Sequence, residues 1–101
     1  MQPRSSAPIV ALAEAEIAAM LDQFSGWSLT DGLLTKSFAF ASYAHGLAFA
    51  SAVGMAAERL DHHPELTIGY RRVTLRVNTH DVNGISWLDF ELAAFADSLA
   101  D

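Results

Sequence analysis

The sequence predicts an α+β domain, a four-stranded antiparallel sheet with three helices packed on one face, in the order α-β-β-α-β-β-α. Three observations predict it. Ile9 to Phe24 and Tyr43 to Asp61 carry apolar or small residues at helical spacing. Four short apolar or alternating runs fall into two pairs, and Asp31-Gly32 joins the first pair as a tight turn. Strands joined as hairpins leave the helices free to cover one face, the arrangement that suits an antiparallel sheet with one wet side.

Residues 1–8, with Pro3, Ser5, Ser6 and Pro8, read as a short flexible lead-in, and residues 9–101 as a single domain. From Ile9 to Phe24, the positions Ile9, Leu12, Ala13, Ile17, Met20, Leu21 and Phe24 recur at steps of three and four, and Ser25-Gly26 ends the helix. Trp27 to Thr30 and Leu33 to Phe40 flank Asp31-Gly32, the dipeptide preferred in a type I′ hairpin. Ser42 is placed to cap an alanine-rich helix over Tyr43 to Asp61. Ala44, Ala48, Ala52 and Ala56 form a small-residue seam on it, read first as core packing, with an interface between copies as the alternative.

Pro64 cannot continue that helix, so the pair His62-His63 sits where it stops. Leu66 to Tyr70 and Val73 to Thr79 read as two further strands. The second alternates Val73, Leu75 and Val77 against Thr74, Arg76, Asn78 and His80, which projects His80 with the polar set. Ser86 then caps a last helix, Trp87 to Leu99, with Asp89 at its third position in a capping-box arrangement.

At 101 residues with 51% apolar composition, the chain is a compact globule whose small core would gain from association with further copies. A net charge of −6 and a single lysine, Lys36, oppose direct nucleic-acid binding. Arg71, Arg72 and Arg76 are the local exception and read as solvated guards of a strand edge. With no cysteine there is no disulfide, no thiolate nucleophile and no cysteine-based zinc site. Glu14, Glu16 and His45 interrupt the longest apolar stretches, so no membrane helix is expected. The N-terminus lacks a basic region followed by an apolar run, which makes the cytoplasm the default location.

Three of the four histidines, His62, His63 and His80, fall within one short stretch, and histidine is the side chain that exchanges protons near neutral pH with least tuning. Any one alone would read as structural, as His45 does. Adjacent histidines make awkward co-ligands, and no His-x3-His or His-Glu-x2-His pattern occurs, so a metal site is not expected.

The pattern Glu58-x3-His62-His63-Pro64-x5-Tyr70-x9-His80, with Asp89 downstream, resembles the signature of the pterin-4a-carbinolamine dehydratases. Trp27, Asp31-Gly32, Phe38-x-Phe40, Phe49, Ala57-Glu58, Gly84-Ile85-Ser86 and Leu92-Ala93 extend the resemblance over most of the chain. It implies the same fold, with edge-strand pairing into a homodimer or homotetramer. It also implies dehydration of 4a-hydroxytetrahydropterin to quinonoid dihydropterin and water, as in tetrahydrobiopterin recycling, on a pterin hydroxylated by an aromatic amino-acid hydroxylase. Neither metal nor organic cofactor is required, because the ring supplies the electrons.

Position by position, the resemblance assigns acid/base and orienting roles to His62, His63 and His80, and places Asp61, Asn78, Thr79 and Asp81 around the pterin. Which histidine is acid and which is base is left open. The two neighbours point in different directions while His80 comes from a separate strand, so two sides of a flat ring can be addressed. Glu58 and Asp89 are the carboxylates expected behind the histidines, where they would fix a tautomer or raise basicity. Helix stabilisation alone would also account for Asp89. Leu66 stands where a tryptophan usually follows, and Leu88 where a basic residue often precedes the aspartate; these departures bear on ring stacking and local substrate contacts. Relatives that serve as dimerisation cofactors of a homeodomain transcription factor supply the alternative, a non-catalytic partner or pterin-binding module. A pterin-binding module without turnover should lack an acid/base histidine, and all three are present.

Overall fold

The computed structural model describes residues 8–100. The lead-in expected over residues 1–8 therefore lies, Pro8 apart, outside the described residues. Helix α1 (Glu14–Leu21) precedes strands β1 (Ser28–Thr30) and β2 (Leu33–Ala39), helix α2 (Tyr43–Leu60), strands β3 (Glu65–Ile68) and β4 (Arg72–Val77), a 3-10 turn (His80–Val82) and helix α3 (Trp87–Ala100). The strands form one antiparallel sheet in the order β1-β2-β4-β3, two hairpins laid side by side and joined along β2 and β4. Asp31 (φ 53°) and Gly32 (φ 78°) are both left-handed, as a type I′ turn requires.

Register decides which face is buried. Pairing Leu34 with Val77, Lys36 with Leu75 and Phe38 with Val73 gathers the large apolar residues of the two central strands on one side, where they join the core. The other face is polar: Ser37 and Thr74 share a hydroxyl hydrogen bond of 2.8 Å, and Arg76 reaches Thr67 at 3.2 Å. Lys36, though on the core side, is anchored by Asp97 of α3 at 2.7 Å and lies 4.9 Å from the Phe38 ring centroid, so the one lysine ties sheet to helix.

Helix α2 lays Gly46, Phe49, Ala50, Val53, Ala56, Ala57 and Leu60 on the sheet, a stripe at three- and four-residue steps. A Cβ at Gly46 would meet Val73 Cγ2 at 3.4 Å, so helix and sheet lie within contact distance there. The alanine seam runs obliquely to this stripe. Only Ala56 of it is buried; Ala44 and Ala48 are exposed beside Tyr43, Leu47 and Met55, the last 63% exposed. Core packing therefore explains only the seam's C-terminal end. The Ser42 cap forms as expected, its hydroxyl accepting from His45 N–H at 3.1 Å. Ser42→Ala is expected to destabilise the protein by about 1 kcal/mol in urea denaturation, without changing the native fold.

Helix α1 begins five residues later than Ile9, where periodicity alone placed it. Leu12 N–H bonds to Ile85 O at 2.7 Å and draws the preceding chain alongside the entry to α3. Ala13 is extended (ψ 156°), and Glu16 reaches back to its N–H at 2.8 Å, so the helix starts there. Strand β4 ends at Val77 rather than Thr79, because Thr79 leaves the ladder to bridge with Gly84. Among the described residues no helix is long and apolar enough to cross a membrane.

Candidate active site

Two chain reversals build the site. At the end of α2, Asp61 is left-handed (φ 52°, ψ 45°), its N–H bonded to Glu58 O and the His62 N–H to Ala57 O. This is a Schellman closure with aspartate where glycine is the usual occupant. It turns the two histidines apart. His62 goes inward and is 7% exposed, whereas His63 stays in solvent with its Nε2 2.6 Å from Glu58.

The second reversal is the loop after β4. Thr79 and Gly84 pair, and Asn83 is left-handed (φ 53°), which closes a short loop carrying exposed His80 and Asp81 at its surface. Thr79 itself is buried, and Asn78 before it is half-buried. Ser86 then starts α3: its N–H donates to Asp89 Oδ2 at 2.9 Å, and its hydroxyl accepts from Leu88 N–H at 3.3 Å. The carboxylate half of the expected capping box is present, while the Ser86 hydroxyl takes the Leu88 N–H in place of that of Asp89.

The reversals meet at Asp89, whose side chain is fully buried. His62 Nε2 lies 2.6 Å from Oδ1, while Oδ2 accepts from the Thr79 hydroxyl at 2.8 Å and from Ser86 N–H. Thr79 and Ser86 share a hydroxyl hydrogen bond of 2.6 Å. A buried carboxylate is tolerated when such donors replace water, and the N-terminal turn of α3 adds a favourable dipole. His62 Nδ1 makes no hydrogen bond to the described residues, and it is not sealed from solvent. The ring is thus gripped at one nitrogen and open at the other. Such a ring can exchange a proton at Nδ1 while the carboxylate holds Nε2 in place.

Of the residues singled out in the sequence, His62, Thr79 and Asp89 share this network, and Glu58 pairs with His63. Asp61 lies exposed beside His62, and Asn78, His80 and Asp81 flank Thr79 along the chain. The His80 ring makes no hydrogen bond to the described residues, so its orientation is not fixed by a carboxylate. The sequence marks Ser86 only as a helix cap; Asp89 is expected behind a histidine, but the link from Ser86 through Thr79 to that carboxylate is not visible there. Leu88 is buried and Leu66 packs against the core, so both departures from the family's common form change interior packing. Among the described residues no group of three or more histidine, aspartate or glutamate side chains is arranged to hold a metal ion. An apolar cavity of about 590 Å³ lies between α1 and α3, lined by Leu12, Met20, Phe24, Trp87 and Phe90 among others, on the side of α3 turned away from Asp89.

Comparison with known proteins gives a consistent result. A family model described as pterin 4 alpha carbinolamine dehydratase matches residues 10–99. A protein of Xanthomonas oryzae named for pterin-4-alpha-carbinolamine dehydratase is 47% identical over 92 residues, 89% of this chain and 78% of its own. One from Solibacter usitatus, named for the same activity, is 39% identical over 88% of this chain and 94% of its own. The crystal structure of a transcriptional coactivator/pterin dehydratase from Brucella melitensis matches 90% of this chain and 99% of its own, with TM-score 0.86 and 33% identity. A pterin dehydratase-like protein identified as a RuBisCO assembly factor in the alpha-carboxysome matches 73% of this chain and 86% of its own, at TM-score 0.60 and 28% identity.

Proposed function

Because this chain belongs to the pterin 4 alpha carbinolamine dehydratase family, we propose that it dehydrates 4a-hydroxytetrahydropterin by histidine acid/base catalysis. In that reaction the bond from carbon 4a to its hydroxyl breaks as the electron pair on nitrogen 5 closes a carbon-nitrogen double bond. One proton joins the departing hydroxyl to make water, and one leaves nitrogen 5. The protein therefore gives one proton and takes one, and the reading calls for no metal or organic cofactor.

The observation that carries the proposal is His62, held at Nε2 by a buried carboxylate with Nδ1 free to act. His80, exposed on the loop that follows Thr79, supplies the second proton-transfer group, and His63 with Glu58 orients the ring from the solvent side. Asp61, Asn78 and Asp81 offer polar contacts to the pyrimidine edge. Thr79 spends its hydroxyl on Asp89 and Ser86, and its part is to hold the loop that bears His80.

The substrate is one that an aromatic amino-acid hydroxylase would release, and the cytoplasm is the setting in which the two would meet. Residues 9–101 act as one domain. A homodimer or homotetramer is supported by the exposed apolar side chains of α2, Tyr43, Leu47 and Met55, and a mass measurement in solution tests it. The same face, together with the coactivator name of the Brucella neighbour, supports a second reading as a partner of another protein.

The test generates the 4a-hydroxypterin in situ and follows its dehydration optically. His80→Ala is expected to lower the rate about a hundredfold while changing stability by less than about 0.5 kcal/mol, because the side chain is exposed and makes no hydrogen bond to the described residues. No acceleration by the unmodified protein would leave the partner reading in its place.

A further inference from the structure

We propose that Ser86, Thr79 and Asp89 form a one-way hydrogen-bond chain that locks His62 in the tautomer protonated at Nε2, so that Nδ1 is the atom that exchanges a proton with substrate. Ser86 and Thr79 are positioning residues in this scheme, and the second clause rests on the functional reading above.

The direction of the chain follows from counting protons. Leu88 N–H and Ser86 N–H can only donate, the first to Ser86 Oγ and the second to Asp89 Oδ2. Thr79 has one hydroxyl proton, and it is spent on Oδ2. The short contact between Thr79 and Ser86 is then satisfied only if Ser86 donates to Thr79. Two donors converge on Oδ2, so that oxygen carries no proton, and with Asp89 as a carboxylate Oδ1 faces the ring as an acceptor. His62 Nε2, at 2.6 Å, is then the donor. A neutral ring with its proton at Nε2 has its lone pair at Nδ1, the nitrogen that keeps access to solvent.

Removing the Ser86 hydroxyl frees Thr79 from its donor and lets its own proton rotate away from Asp89. The carboxylate then loses a donor at Oδ2 and no longer holds a single preferred geometry toward the ring. A histidine in mixed tautomers presents its lone pair to the substrate only part of the time, which lowers kcat and leaves binding of the pterin largely alone.

The experiment is nitrogen-15 spectroscopy of the histidine rings, with dehydration kinetics, on the full chain and on Ser86→Ala, Thr79→Val and Thr79→Ser, each checked for its fold by circular dichroism. The unmodified protein is expected to show neutral His62 protonated at Nε2. Ser86→Ala and Thr79→Val are expected to mix the tautomers and to lower kcat about tenfold or more with KM within about twofold. Thr79→Ser, which keeps the hydroxyl, should restore both. A proton on Nδ1 in the unmodified protein would overturn the proposal, as would unmodified tautomer and kcat in both hydroxyl-deleted variants. A locked Nε2 proton in a protein that does not accelerate dehydration would uphold the lock and remove the functional reading instead.

Discussion

His62→Ala is expected to slow dehydration of the 4a-hydroxypterin by about 10²- to 10⁴-fold, the range that a positioned general acid or base contributes. The loss should fall on kcat, because the ring acts on the proton in flight more than on the resting substrate. It should exceed the loss from His63→Ala, since His63 stands in solvent with an exposed glutamate for partner, a pairing that water screens. Steady-state kinetics on the three single variants checks the order. A His62→Ala enzyme within a fewfold of the unmodified rate would remove His62 from the chemistry.

Asp89→Ala is expected to have the largest effect on stability of any single change at the site, about 3 to 5 kcal/mol. Three groups converge on this carboxylate: the His62 ring, the Thr79 hydroxyl and the Ser86 N–H. Truncation strands all three in an interior that water reaches poorly, and each unmet donor costs about 1 to 3 kcal/mol. The bond by which Asp89 reaches back to the start of α3 disappears in the same step. For a domain of this size the midpoint of thermal unfolding should fall by roughly 15 °C or more, and whatever folds should dehydrate pterin as slowly as His62→Ala. A variant as stable as the parent would mean that the buried network is dispensable.

Much of the fold was legible because its local signals agree with one another. Asp31-Gly32, Ser42, Pro64 and the Ser86-Asp89 box each mark a boundary, and the structure places turns or caps at all four. The start of α1 was not legible. Ile9 and Leu12 continue a helical period, but the contact that stops the helix is with Ile85, which sequence spacing does not reveal. The alanine seam misled in a similar way, since a four-residue step drifts around the helix from the core at Ala56 to solvent at Ala44. At the site, the residue types and their spacing singled out His62, His63, His80, Glu58 and Asp89. The pairing of particular histidines with particular carboxylates was not visible, because it depends on the left-handed turn at Asp61 that sends one ring inward and its neighbour outward.

The sheet's construction from two hairpins sets when the pair of His62 and Asp89 comes into being during synthesis. Each hairpin closes over a short turn and α2 forms on its own local contacts, but the seam between β2 and β4 joins segments on either side of that whole helix. Closing such a seam is the slow, long-range event that governs the folding rate. His62 precedes the second hairpin and Asp89 follows it, so the pair meets only after that hairpin has docked and the last helix has left the ribosome. A nascent chain carries all three histidines before any of them has met Asp89.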